Sequence, residues 1–164
     1  MVLEFSLPGQ SCAKEQAIVD AFSPRQGATE LVVSTIDKAR QSVRVAAYSF
    51  TSHSIADALV QAHQRGVDVE VVLDKSQRKR SLAGFLKENG VPVRINSHYA
   101  IMHNKFMIID GKVLELGSFN YTKSAEEKNA ENVLVLRNRT KIIKDYTTQW
   151  QKLWDEGEDI INGG

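Results

Sequence analysis

The chain predicts an α/β fold: a mixed, largely parallel β-sheet flanked by helices on both faces. Apolar runs of strand length alternate with stretches whose apolar residues recur every three or four positions. In the first half these patterns follow one another as strand, helix, strand, which implies crossovers between parallel strands. In the second half, two apolar runs are joined by Asp110-Gly111, a strong hairpin signal.

Ala17-Ile18-Val19 with Ala21-Phe22 reads as a first strand, ended at Ser23-Pro24. Leu31, Val32, Ile36 and Ala39 then mark a helix from Ala28, closed at Ser42. Val43 to Phe50 is a mostly apolar run that suits a buried strand. Ser52 and Ser54 are able to cap a helix carrying Ile55, Ala56, Leu59 and Val60 on one face, with Gly66 as its stop. Val67 to Leu73 reads as a strand, Gln77 to Glu88 as a helix stopped at Gly90, and Val91 to Ile95 as a short strand. The hairpin pairs Lys105–Ile109 with Lys112–Leu116. Asn132 to Leu136 is a further strand. A last helix from about Thr140 places Ile143, Tyr146, Trp150, Leu153 and Trp154 inward, so both tryptophans belong to the core.

A chain of 164 residues is long enough for one real core, and residues 14–164 read as a single domain. Its 21 basic and 20 acidic residues nearly cancel, so any affinity for polyanions must be local. Two basic clusters qualify: Lys75, Arg78, Lys79 and Arg80, and later Arg137, Arg139, Lys141 and Lys144. Cys12 is the single cysteine, which excludes an internal disulfide. No apolar run has membrane-spanning length, and stable membrane insertion is not expected. Ser11-Cys12-Ala13 resembles a secretory cleavage site, although no basic region or full apolar segment precedes it. Residues 1–13 therefore read as a leader with the stub of a signal peptide, or as an ordinary disordered N-terminus. The first reading implies a periplasmic or secreted bacterial protein, the second a cytoplasmic one.

The chemistry concentrates in His103-x-Lys105, Asp110 and Gly117-Ser118-x-Asn120. Side chains alternate along a strand, so His103 and Lys105 share a face if the strand already includes residue 103, and Ser118 and Asn120 share one just past the second hairpin strand. Asp110 has the opposite parity and sits in the turn, which gives it a supporting role. Without a metal, cleavage of a phosphodiester needs a nucleophile, donors around the phosphoryl oxygens and an acid for the leaving oxygen. A neutral histidine is able to attack phosphorus. Lys105 and Asn120 are able to hold the oxygens, and Ser118 to add a bond. The carboxylate of Glu131 is able to accept from an imidazole and set its tautomer.

His103-x-Lys105-x₄-Asp110-x₆-Gly117-Ser118-x-Asn120, with Glu131 eleven residues on, resembles the HKD motif of the phospholipase D superfamily. The resemblance extends to Ala47-Tyr48-Ser49-Phe50 and covers roughly residues 21–155. It implies a phospholipase D-like fold, with His103 as nucleophile or acid and Lys105 and Asn120 on phosphate. It also places Ser118 and Glu131 in the site, with Gly117 and Asp110 in support. Nothing is carried over to His53, His63 or His98. Most members hold two motifs. This chain resembles the short branch with one, which includes small bacterial endonucleases.

In-line attack puts nucleophile and acid on opposite sides of phosphorus, so one histidine cannot serve as both. A two-fold homodimer supplies the second from the same patch, with one composite site per dimer. The scheme runs through a phosphohistidine, needs no metal or other cofactor, and takes DNA or RNA as its leading substrate. Lys75, Arg78, Lys79 and Arg80 would contact that substrate. The alternatives are a phospholipase D-type lipid phosphodiesterase and a nucleic-acid-binding module without catalysis.

Overall fold

The computed structural model describes residues 17–160. Cys12 and the leader expected at residues 1–13 lie outside the described residues. The strands are β1 (Ile18–Ser23), β2 (Ser42–Ala47), β3 (Asp68–Asp74), β4 (Val93–Asn96), β5 (Lys105–Ile109), β6 (Val113–Gly117), β7 (Glu131–Arg137) and β8 (Glu158–Asp159). The helices are α1 (Ala28–Asp37), α2 (His53–Gln64), α3 (Ala83–Glu88), α4 (Lys123–Glu127) and α5 (Thr140–Asp155).

All eight strands form one sheet in the order β1-β7-β6-β5-β2-β3-β4-β8. The sheet is mixed and has helices on both faces, as expected. Parallel pairing is confined to β2–β3 and β3–β4, so "largely parallel" describes only that part. The other five pairs are antiparallel. The reason lies in the connections: parallel neighbours need a crossover, and only α2 and α3 provide one within the sheet. Residues 97–104 return as a loop, which brings β5 back against β2 in the opposite sense.

The helix expected from Gln77 to Glu88 is shorter. A single 3₁₀ turn, Lys75–Gln77, is capped by Asp74, whose carboxylate accepts the Ser76 N–H at 2.9 Å. The helix proper starts only after Ser81, whose hydroxyl oxygen accepts the Ala83 N–H at 3.1 Å. Helix α4 and strand β8 are too short to carry a periodic signal.

One face of the sheet is covered by α1 and α2, with Val32, Ile36, Ile55 and Leu59 packed on Val45, Met107 and Val135. The other carries α5, with Ile143, Trp150 and Leu153 on Ala46, Val72, Phe106 and Ile108. Trp150 also donates its indole N–H to the Val45 carbonyl at 2.9 Å, satisfying a polar group that burial would otherwise strand. Helix α5 lies on β2, β4 and β5. On that side Leu114 of β6 is still buried, and among the described residues exposure begins at the β1 border, where Ile18 and Phe22 are 49% and 48% exposed.

Candidate active site

The β2–β5 pairing builds the centre of the site. It sets Ala47 opposite Lys105, and the Tyr48 N–H extends the ladder to the Asn104 carbonyl at 2.9 Å. His103 thereby lands on Tyr48, ring centroids 4.4 Å apart and tilted by 50°. The Lys105 ammonium lies 2.9 Å from Nδ1 and 3.3 Å from Nε2 of His103. It also donates to the His103 carbonyl at 2.7 Å and sits 5.3 Å from the centroid of Tyr48. Burial pulls the Lys105 ammonium below the usual lysine range, while the Glu131 carboxylate acts against that shift. Because β5 begins at Lys105, His103 lies on an extension of the strand rather than within it.

Gly117 closes β6, and the next residues form the second wall. The Ser118 N–H donates to the Asn132 carbonyl at 3.2 Å, and the Asn132 N–H donates back to Ser118 Oγ at 3.1 Å. The Ser118 hydroxyl donates to Glu131 Oε2 at 2.5 Å, and the Asn129 amide donates to Glu131 Oε1 at 3.2 Å. Glu131 is thus bonded to Ser118 and Asn129 within the chain. Within the chain its partners are therefore a hydroxyl and an amide, and each carboxylate oxygen keeps room for a further donor. Phe119 and Tyr121 are buried on either side of Asn120. Among the described residues, Asn120 Oδ1 is buried without a hydrogen-bond partner. The site therefore holds an amide whose bonding capacity is not used up.

Asp110 stands at the opposite end of the hairpin. Both it and Gly111 take positive φ, 54° and 62°, as the tight turn requires. Its carboxylate accepts the N–H groups of Gln41 and Ser42 at 2.7 and 2.9 Å and of Arg40 at 3.0 Å. That ties the hairpin to the loop between α1 and β2, a purely architectural task.

The basic loop after β3 lies on the same sheet edge as His103, since β2 and β3 run parallel and both end there. Lys75 spends its ammonium on the Tyr99 carbonyl at 2.9 Å, and Arg78 lies 3.9 Å from Glu158. Lys79 and Arg80 are exposed. The second cluster belongs elsewhere: Arg137 ends β7 at the edge opposite Glu131, and Lys141 pairs with Asp145 at 3.0 Å. His53 packs on Phe85, His63 beside Gly90, and His98 lies 4.0 Å from Glu156.

Two site residues escaped the sequence reading. Tyr48 falls within the resemblance at Ala47-Tyr48-Ser49-Phe50 but carries no expected role there, and it forms the floor under His103. Asp74 is buried and accepts the Met102 N–H at 2.7 Å, one residue before His103. The signal for it was a carboxylate ending an apolar strand.

A cleft of about 280 Å³ opens beside His103 and Lys105, lined also by Phe106, Leu116 and Tyr146. It is smaller than the cavities that enclose whole ligands, and suits one group of a larger substrate.

Residues 32–154 match the family described as "Cardiolipin synthase, PLD-like domain". The crystal structure of a phospholipase D family member, Nuc from Salmonella typhimurium, superposes with a TM-score of 0.83 at 40% identity. That match covers 87% of this chain and 96% of Nuc. A phospholipase D of Rickettsia prowazekii is 38% identical over 131 residues, 79% of this chain and 63% of that protein. A mitochondrial cardiolipin hydrolase of Xenopus tropicalis is 36% identical over 121 residues, 73% of this chain and 57% of that protein. The match thus spans 63% and 57% of these two relatives, less than two thirds of each, and nearly all of Nuc.

Proposed function

Because the chain belongs to the phospholipase D-like family, we propose that it hydrolyses phosphodiester bonds of nucleic acid at His103. One observation carries this reading: His103, Lys105, Ser118 and Asn120 occupy one sheet edge, and the exposed cations Lys79 and Arg80 share it.

In the proposed reaction a neutral His103 nitrogen attacks phosphorus, and the bond to the leaving oxygen breaks in line with that attack. A second His103, from another copy of the chain, gives its proton to the leaving oxygen. Water then attacks the phosphohistidine while the second imidazole takes back a proton. Lys105 and the Asn120 amide hold the phosphoryl oxygens, where charge develops. Tyr48 fixes the plane of the imidazole. The exposed β1 border supports the two-copy reading, since Phe22, 48% exposed and paired with Asn132, offers apolar surface next to the site.

The deciding experiment incubates the protein with plasmid DNA, RNA and phosphatidylcholine in excess chelator. Cleavage of nucleic acid that disappears in His103→Ala is the expected result, and full inhibition by chelator overturns the scheme. A lipid substrate is the second reading. Ile101, 54% exposed two residues before His103, favours it by offering an apolar contact at the site rim.

A further inference from the structure

Beneath the site lies a buried ionisable pair that the proposed reaction does not use. Glu115, in the middle of β6, is 1% exposed. Its cross-strand neighbours are Met107 on β5 and Val135 on β7, both apolar and buried. Its carboxyl accepts the Tyr121 hydroxyl at 2.6 Å, and Tyr121 is fully buried. The Tyr121 carbonyl in turn accepts the N–H groups of Thr51 and Ser52, each at 2.9 Å. Tyr121 is therefore a strut with two ends. One stands on β6, and the other fastens the loop that follows Tyr48.

We infer that Glu115 is a positioning residue for the site: through Tyr121 it sets where Asn120 stands relative to Tyr48 and His103. Ser118 is tied to Asn132 and Glu131 and Phe119 is buried, while the Asn120 carbonyl accepts the Thr122 N–H at 2.7 Å. The Glu115–Tyr121 bond anchors the residue next to Asn120, and so bears on where the Asn120 amide stands. The inference rests on the reading of these residues as a phosphodiesterase site.

The couple works with Glu115 as a neutral acid. Burial pushes its carboxyl up to about 8, against a smaller opposing effect of the Tyr121 hydroxyl. Burial, and the neighbouring Glu115, likewise hold the Tyr121 phenol well above its ordinary range, so it stays a donor. The charged groups nearest along this face are Lys105 on β5, two residues from Met107, and Arg137 on β7, two residues from Val135, with Glu131 at the rim beyond. From the covering elements, Glu30 and Asp37 of α1 and Asp57 of α2 turn to solvent, and Glu126 of α4 is bonded to Thr29. Once ionised, Glu115 is a buried carboxylate bonded by the Tyr121 hydroxyl, and its remaining demand for solvation draws in water or shifts the pair.

The test compares wild type with Glu115→Gln and Tyr121→Phe. Glutamine keeps an acceptor for Tyr121 and cannot ionise. We expect wild-type kcat to fall above about pH 8, and Glu115→Gln to stay within about twofold of wild-type kcat at pH 7 and to lack that fall. Tyr121→Phe should lower kcat about tenfold with little change in KM. An unchanged alkaline fall in Glu115→Gln overturns the inference, as does wild-type kcat in Tyr121→Phe. Should Tyr121→Phe not fold, the pH profile of Glu115→Gln decides alone. A readout without substrate separates this inference from the catalytic one. The side-chain amide resonance of Asn120 should move between pH 7 and 9 in wild type and stay still in Glu115→Gln. If neither nucleic acid nor lipid is cleaved but this resonance behaves so, the catalytic reading fails and the positioning couple stands; a resonance equally mobile in both proteins removes the couple.

Discussion

Gly117 is the residue with the least room in the site. A Cβ added there would stand 2.0 Å from the Asn132 carbonyl oxygen, which is backbone and cannot swing away. Gly117→Ala must therefore pry β6 from β7 just where Ser118 meets Glu131. Such overpacking costs about 1–3 kcal/mol, which for a chain of this size lowers Tm by roughly 2–12 °C. A thermal melt checks it, and an unchanged Tm would show that the two strands already yield. At this scale the sequence was informative wherever partners lie close along the chain. His103 and Lys105 are two apart, and their contact follows from strand alternation. The stacking of His103 on Tyr48 depends on which strand lies beside β5, and no local pattern carries that information.

Among the elements, the loop 97–104 holds the greatest share of the site's precision. It has no regular structure, yet it delivers His103 because three side chains from the strand ends pin it. Asp74 takes the Met102 N–H, Asn96 takes the His98 N–H at 3.0 Å, and Lys75 holds the Tyr99 carbonyl. Burial alone would raise the Asp74 carboxyl. The N–H bonds from Ser76 and Met102, with the Lys75 charge, outweigh it and hold the carboxyl below the usual aspartate range. Asp74→Asn should cost roughly 1.5–3 kcal/mol, the worth of a hydrogen bond to a charged group. Because the folded value is lowered, this stability is present above the unfolded value near 3.8 and is lost as pH falls through the folded one. The Tm gap between wild type and Asp74→Asn should thus be full at pH 7 and shrink below pH 4. A gap that does not change with pH would deny the charge its part. The hairpin at Asp110-Gly111 was legible because its turn chemistry is local. The broken helix around Ser81 was not, because Gln77 is drawn inward by the distant Phe50 N–H at 3.3 Å.

For the whole molecule, the proposed reaction makes a quantitative demand on assembly. If both histidines of a dimer serve one phosphate, a hybrid of wild-type and His103→Ala chains is dead. Activity after mixing and re-equilibration should then follow the square of the wild-type fraction, whereas independent sites give a straight line. The β1 border at Phe22 is where association would be disturbed. Phe22→Asp should sediment as a folded monomer with little activity, and a fully active monomer would end the two-copy reading. The sheet order explains why its sense was misjudged from sequence. Alternating patterns reveal strands and helices but not neighbours, and here β5 and β2 adjoin although two strands separate them in the chain.

The two borders of the sheet differ in a way that bears on solubility. A twisted sheet with bare edges is open to polymerisation, one molecule's border stitching onto the next. Here β8 is only two residues long, and both are exposed carboxylates. Asp159 is held by Arg94 at 3.1 Å, and the main chain just beyond it is held by Lys87. A foreign β1 arriving at this border would find negative charge, little backbone to zip onto, and ion pairs to break first. Head-to-tail fibres are thereby blocked at one border, and the protein should tolerate concentration without forming them.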